Sequence, residues 1–349
     1  FVNHVLAHHP GVEPGIEAPT VLDALRERYG KAGATVEYAR GCPVTGGDPA
    51  EFAEATALAA RVDVVVAVMG DQSGLFGKGT SGEGCDTDSL RLPGLQEALL
   101  TELLAVGTPV VLVAVTGRPY GIGHLAERAA ATLQAFFPGE AGGSALAAVI
   151  AGDAPPQGRL PVSMPSRVGV EPYSYLHANL AGFSDVTSVD AAPAFAFGHG
   201  LSYTDFEYSP ARAEPSAPTE GWIEASVEVR NTGARRGVEV VQLYARDLVA
   251  SVTRPVAQLV GFARVDLDVA GAVRVAFRVP TARLAFHDRQ MRRVVEPGAV
   301  HVWFGRSCAD PATERLPVTL EGGPHPVGNG DPRLTEVTVE PLRGPRRGG

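Results

Sequence analysis

The run Gly70-Asp-Gln-Ser-Gly-Leu-Phe-Gly-Lys-Gly-Thr-Ser-Gly-Glu-Gly-Cys-Asp86 gathers the residues of this chain whose types and spacing most suggest chemistry. It holds six glycines, and one acid, Glu83, stands between two of them. Glycine takes positive φ at little cost and lets the backbone approach a ligand, so a carboxylate between Gly82 and Gly84 has no neighbouring side chain to cover it. Three chemistries are open to such a loop. Phosphate binding fits poorly: Lys78 is followed by Gly79 in place of Ser or Thr, and the next helical pattern begins far beyond the last glycine. Asp71, Glu83 and Asp86 would also repel an anion. A serine nucleophile at Ser81 lacks the second glycine of an esterase elbow and the helix that must follow it, so Ser81 reads as a turn residue. General acid/base work by Glu83 is the third option, which requires a carboxyl beside the bond to be protonated and surroundings that raise its pKa. Spacing alone favours a plain solvated loop acid.

The elements around the loop place it. Val62 to Met69 is an apolar run that leads directly into it, and the loop extends from about Gln72 to Pro93. Loops of that length in compact domains usually form binding or catalytic rims. Before it, Thr20 caps an amphipathic helix through Arg28, Ala34 to Ala39 reads as a short strand, and Glu51 to Ala60 as a helix. After it come a helix from Gly94 to Val106 with Pro93 at its first turn and a strand from Pro109 to Val115. A helix from Ile122 to Ala130, a strand from Thr132 to Phe136 and a helix from Gly143 to Ile150 follow. The strands are continuous apolar runs, so both faces are covered. The pattern predicts an α/β fold, a mostly parallel sheet with helices on both faces. Ligands bind such sheets beyond the carboxyl ends of the strands, where the Glu83 loop lies.

Beyond Thr204 the character changes. Trp222 to Arg230 alternates apolar and polar residues and turns at Asn231-Thr-Gly233; Val238 to Tyr244, Val273 to Val279 and Val300 to Phe304 follow with Gly, Pro and Asp between them. Short half-buried strands without helices indicate an antiparallel β-sandwich. A further strand is expected at Leu334 to Val339.

With 349 residues, 45% of them hydrophobic, the chain can bury two cores. A net charge of −9 argues against nucleic acid or an anionic membrane as partner, and no apolar run has the length of a membrane span. The basic cluster at Arg343, Arg346 and Arg347 reads as a frayed tail. Cys42, Cys85 and Cys308 are odd in number and lack metal-ligand spacing, so they read as free thiols, with no zinc and no cofactor expected.

The order of several motifs resembles the second domain of family 3 glycoside hydrolases, the β-glucosidase and β-xylosidase family. These are Ser81-Gly-Glu83-Gly-Cys-Asp86, Leu92-Pro-Gly-Leu-Gln96, Thr116-Gly-Arg-Pro-Tyr120, Phe137-Pro-Gly-Glu-Ala-Gly-Gly143, Gly158-Arg-Leu-Pro-Val162 and Phe197-Gly-His-Gly-Leu-Ser-Tyr203. Val229-Arg-Asn-Thr-Gly233, Val240-Val-Gln-Leu-Tyr244, Arg254-Pro255 and Leu259-Val-Gly-Phe262 look like the fibronectin type III-like domain that follows it in this family. The resemblance runs from near Pro19 to about Gly305. It implies a six-stranded α/β sandwich over 1–204, a fibronectin type III-like sandwich over 205–320, and a loop, a candidate last strand and a tail over 321–349. It further implies that Glu83 is the acid/base of a retaining exo-acting β-glycosidase, with Phe76, Ser81 and Gly82 as substrate-binding candidates. Substrates would be β-linked oligosaccharides or aryl and alkyl glycosides.

Retaining hydrolysis needs two carboxyl groups about 5 Å apart. In this family the nucleophile is an Asp from an amino-terminal barrel, and that barrel and the first strand of the α/β sandwich are expected upstream of Phe1. Asp71, Asp86 and Asp88 read instead as strand end, turn and helix cap, so no nucleophile is assigned here. The expectation is a chain carrying half an active site, inactive alone; the competing reading is a carbohydrate-binding or scaffolding fragment with Trp222 and Trp303 as its candidate aromatics. Location, whether bacterial cytoplasm or secreted, stays open.

Overall fold

The computed structural model describes residues 18–170, 174–179, 184–310 and 314–342, so the basic tail at 343–349 and the residues before 18 lie outside the described set. The chain packs as two compact units that interleave in sequence. One comprises the described parts of Phe1–Ala154, Met164–Glu171 and Ala192–Phe195; the other comprises those of Pro155–Ser163, Pro172–Ala191 and Ala196–Gly349.

The first unit is α/β. Its elements are α1 (Val21–Gly30), α2 (Phe52–Ala59), β1 (Val65–Gly70), β2 (Ser73–Leu75), β3 (Ser81–Glu83), α3 (Gln96–Ala105), β4 (Val110–Val115), α4 (Gly123–Ala126), β5 (Ala131–Gln134) and α5 (Gly142–Ile150). β1, β4 and β5 pair in parallel in that order, with Val65 opposite Val110 and Val111 opposite Ala131. Side chains alternate across a strand. Ala67 and Met69 therefore pack with Phe52, Ala55 and Ala59 of α2 and Leu99, Leu100 and Leu103 of α3, while Val66 packs on the other face with Ala24 and Leu25 of α1 and Ala147 of α5. Helices thus pack on both faces, although Val68, on the same face as Val66, stays 46% exposed. At its start α1 has the expected Thr20 cap: the Asp23 amide donates to Thr20 Oγ1 at 3.1 Å and the Thr20 amide donates back to Asp23 Oδ2 at 3.2 Å.

Two expectations fail locally. Ala34 to Ala39 joins no ladder, and three strands pair in this sheet among the described residues, fewer than a six-stranded sandwich whose first strand lies upstream of Phe1 would leave here. Val36 of that segment is instead half-buried against the core formed by Ala24, Leu25 and Ala147. The helix after the loop also starts later than expected, at Gln96, with Leu95 as its N-cap and Pro93 ahead of it.

The second unit is all β. One sheet runs β11-β10-β15-β16-β8, formed by Gln258–Leu267, Gly237–Asp247, Gly298–Gly305, Leu316–Glu321 and Ser216–Pro218. The other runs β18-β12-β9-β6, formed by Glu336–Pro341, Ala272–Pro280, Trp222–Asn231 and Phe206–Tyr208, with β7 (Arg212–Ala213) beside β9. The inward residues of both, among them Val227, Val241, Leu243, Val275, Phe277, Val302 and Phe304, make one buried core, as an alternating pattern dictates. β13 (Phe286–His287), β14 (Arg293–Val295) and β17 (His325–Pro326) form a small third sheet.

The motifs of this unit are fasteners. Asn231 is fully buried and has every side-chain hydrogen-bonding group in use: Oδ1 accepts from Thr204 Oγ1 at 2.7 Å and the Gly233 amide at 3.1 Å, and Nδ2 donates to the carbonyls of Arg235 and Leu267. Gln242 Nε2 donates to the carbonyls of Gly198 and Arg306, and its Oε1 accepts from the Tyr244 hydroxyl at 2.6 Å. Arg159 and Glu239 form an ion pair at 2.7 Å with side chains only 7% and 3% exposed. These contacts hold 158–160 and 197–200 against β10.

Candidate active site

β1, β4 and β5 are parallel, so the segments leaving their carboxyl ends share one rim: 71–95 after β1, Thr116 to Tyr120 after β4, and Phe136 to Phe137 after β5. Glu83 ends β3 on this rim and is exposed. Its loop is not structureless. β2 and β3 pair in parallel within it, Ser73 opposite Ser81 and Leu75 opposite Glu83. That pairing explains the glycines differently from the sequence reading. A Cβ on Gly82, whose φ is +136°, would lie 2.0 Å from the Gly74 carbonyl oxygen, and one on Gly74 would lie 2.2 Å from that of Lys78. The loop needs these glycines to fold upon itself.

Few apolar side chains anchor so glycine-rich a segment, and polar ties do that work. Asp71 uses both carboxylate oxygens: Oδ1 accepts from the Tyr120 hydroxyl at 2.6 Å and Thr80 Oγ1 at 2.7 Å, and Oδ2 accepts from the Gly117 amide at 2.8 Å. Burial, followed by the Asp71 contact, pushes the Tyr120 hydroxyl up to about 12, which keeps it a donor. Arg118 Nη1 donates to the Thr80 carbonyl and Nη2 to the Cys85 carbonyl. One guanidinium therefore grips both sides of the segment that carries Glu83. Beneath them Gln96, only 3% exposed, pairs with Gly70 through both its amide groups.

Of the other residues singled out in the sequence, Phe76 is 69% exposed and sits at φ 53°, a conformation uncommon for a bulky side chain. Ser81 is buried against the β4 loop, where a Cβ on Gly117 would come within 2.0 Å of its Oγ. Gly82 lies in the β2–β3 ladder. Asp71 is a fully engaged strand-end acid, Asp86 and Asp88 are exposed, and Asp88 caps no helix because Leu95 holds that position. Sequence reasoning missed the parts of Asp71, Arg118, Tyr120 and Gln96, although the strings Thr116-Gly-Arg-Pro-Tyr120 and Leu92-Pro-Gly-Leu-Gln96 were visible. Phe137, 45% exposed, flanks the same Gly117 site.

Cys42, Cys85 and Cys308 are free thiols. Among the described residues one His and carboxylate group gathers, Glu220, His325 and Asp331. His325 Nε2 is 2.8 Å from Asp331 and Nδ1 is 3.6 Å from Glu220, so each ring nitrogen faces its own carboxylate and the trio is a staple within the β unit.

Residues 7–203 match the family model of the glycosyl hydrolase family 3 C-terminal domain, and residues 239–308 match that of the fibronectin type III-like domain. The chain belongs to glycoside hydrolase family 3. Its relatives in family 3 include a periplasmic β-glucosidase of Salmonella typhimurium, 35% identical over 324 residues that span 84% of this chain and 42% of that protein. A β-xylosidase of Formosa agariphila is 37% identical over 306 residues, covering 86% of this chain and 42% of the relative. A β-glucosidase structure from Erythrobacter marinus superposes with a TM-score of 0.78 at 34% identity, over 88% of this chain and 44% of the other. The chain thus spans about two fifths of the length of these relatives. No helix among the described residues is long and apolar enough to cross a membrane.

Proposed function

We propose that this family 3 chain is the carboxyl-terminal portion of a retaining, exo-acting β-glucosidase or β-xylosidase, and that Glu83 is its acid/base. In the first step the Glu83 carboxyl gives its proton to the leaving glycosidic oxygen while a nucleophilic carboxylate bonds to the anomeric carbon. In the second, the Glu83 carboxylate takes a proton from the water that displaces that carboxylate. The nucleophile and most of the sugar pocket come from the amino-terminal barrel domain, and the substrate is a terminal, non-reducing β-linked sugar. Phe76 borders the substrate as an exposed aromatic face, and Ser81 and Gly82 shape the approach of the backbone.

One observation carries the reading: Glu83 is an exposed carboxylate on the carboxyl-end rim of the sheet, in a loop tied to that sheet on both of its flanks. Asp71 offers no second catalytic carboxylate, because its oxygens already accept three hydrogen bonds. The carbohydrate-binding alternative draws little from the tryptophans, since Trp303 is 1% exposed and Trp222 lies under Arg278, whose Cζ is 4.7 Å from the ring centroid.

The test is Glu83→Gln in the intact enzyme that includes the barrel. Turnover of a disaccharide, whose leaving group needs protonation, is expected to fall by about 10²–10⁴-fold, whereas glycosylation by a dinitrophenyl glycoside stays near the parent rate. An equal loss on both substrates would overturn the assignment. This chain alone is expected not to hydrolyse nitrophenyl glucoside or xyloside, and turnover abolished by Glu83→Gln would refute the divided site.

A further inference from the structure

The structure assigns to Arg118 and Asp71 the positioning of Glu83, an inference that rests on the acid/base reading and adds to it the residues that hold the proton donor in place. A general acid works only when its proton lies within hydrogen-bond reach of the leaving oxygen, and a displacement of about 1 Å can cost roughly 10²-fold in rate. Gly82 and Gly84 both sit at positive φ, at 136° and 70°. A segment with so little side-chain packing would sample many conformations without outside restraint.

That restraint comes from the neighbouring strand. Arg118 follows β4, and its two Nη groups bond to the carbonyls of Thr80 and Cys85, one on each side of the segment 81–84. Charge-assisted bonds from a planar fork fix direction as well as distance, which a single ammonium cannot do. Asp71 completes the arrangement from the end of β1. It binds Thr80 on the Glu83 side of the strap, and Gly117 and Tyr120 on the two sides of Arg118. The acid thus fixes the base of the arginine to the start of the strand that the arginine restrains. Within the segment the Thr80 amide donates to the Gln72 carbonyl at 2.8 Å and the Cys85 amide to that of Gly82 at 3.0 Å, two bonds that report directly on whether the strap is closed.

Two measurements test this with Arg118→Lys, Arg118→Met and Asp71→Asn. In this chain, hydrogen exchange at the Thr80 and Cys85 amides is expected to accelerate by about 10-fold or more in Arg118→Met, with the amides of β4 unchanged and Arg118→Lys intermediate. Unchanged loop exchange overturns the inference. In the intact barrel-bearing enzyme, Arg118→Met is expected to lower kcat for a disaccharide by roughly 10²-fold while its KM and the rate of glycosylation by a dinitrophenyl glycoside stay close to the parent, and Asp71→Asn to move in the same direction. Equal losses in disaccharide turnover and in dinitrophenyl glycosylation would mark Arg118 as a general structural residue and overturn the positioning role. The Glu83→Gln comparison separates the two ideas. If that variant shows no leaving-group dependence, the acid/base reading fails whatever Arg118 does, and the exchange measurement still decides whether the strap exists.

Discussion

Gln96 offers the sharpest test of how the rim is held, because it replaces a missing strand partner with one side chain. Gly70 is the last residue of β1, and its amide and carbonyl turn away from β4. Gln96 Oε1 accepts from that amide at 2.6 Å, and Nε2 donates to that carbonyl at 2.8 Å, to Pro93 at 3.0 Å and to Val44 at 3.2 Å. Gln96→Leu keeps the approximate volume but strands two buried main-chain groups. Each costs about 1–3 kcal/mol when left unpaired, against which the leucine recovers roughly 1–2 kcal/mol of apolar burial. The expected net loss is about 2–4 kcal/mol. Every α-helix among the described residues lies in the first unit, whereas Trp222 and Trp303 lie in the second. Far-ultraviolet circular dichroism during denaturation therefore follows the unit that contains Gln96, and tryptophan fluorescence follows the other. The helical transition should move to lower denaturant by the amount above. A shift worth less than about 1 kcal/mol would refute the argument that Gln96 substitutes for a ladder partner.

Two further outcomes are expected. Asp247 is pushed up to about 6 by burial, with Glu296 adding to the effect and Arg254 opposing it. A carboxyl raised in the folded state contributes stability that is complete below its unfolded pKa and is lost as pH rises through the folded one. The β unit should therefore lose stability between about pH 4 and 6. The displacement from 3.8 caps the effect at roughly 3 kcal/mol, and residual solvent contact reduces it to about 1–2. Tryptophan-detected melts of Asp247→Asn should be flatter across that window, and an unchanged slope would count against the assignment. In the α/β unit, no strand pairs with the outer edge of β1 among the described residues, and beside that edge Val68, on the face of the strand that it shares with Val66, is 46% exposed. An open apolar edge invites pairing with another chain. The chain should self-associate in sedimentation at rising concentration, and Val68→Lys should suppress this; a monomer at all concentrations would contradict it.

Much of the fold was legible because it is written in local periodicity. Apolar runs at Val62 to Met69 and Pro109 to Val115 announced a sheet covered on both faces, and alternation at Trp222 to Arg230 announced a sandwich; the observed strands are Val65–Gly70, Val110–Val115 and Trp222–Asn231. Boundaries moved by a few residues, as where α4 closes at Ala126 after four residues. The strand expected at 34–39 did not form, because pairing depends on a neighbour that the segment itself does not encode.

By itself the sequence determined the two fold classes, the family and the identity of the candidate acid, since apolar period, motif order and a glycine-flanked Glu83 are properties of residues near one another in the chain. Only the tertiary structure decided what holds that acid. Arg118 reaches Thr80 and Cys85, Asp71 reaches Gly117 and Tyr120, and Arg159 reaches Glu239. The first two connections exist because parallel strands bring the ends of β1 and β4 to one rim, and the third because 158–160 packs on β10. Such hydrogen bonds depend on distance and angle between groups far apart in sequence, which no local pattern of residue types specifies.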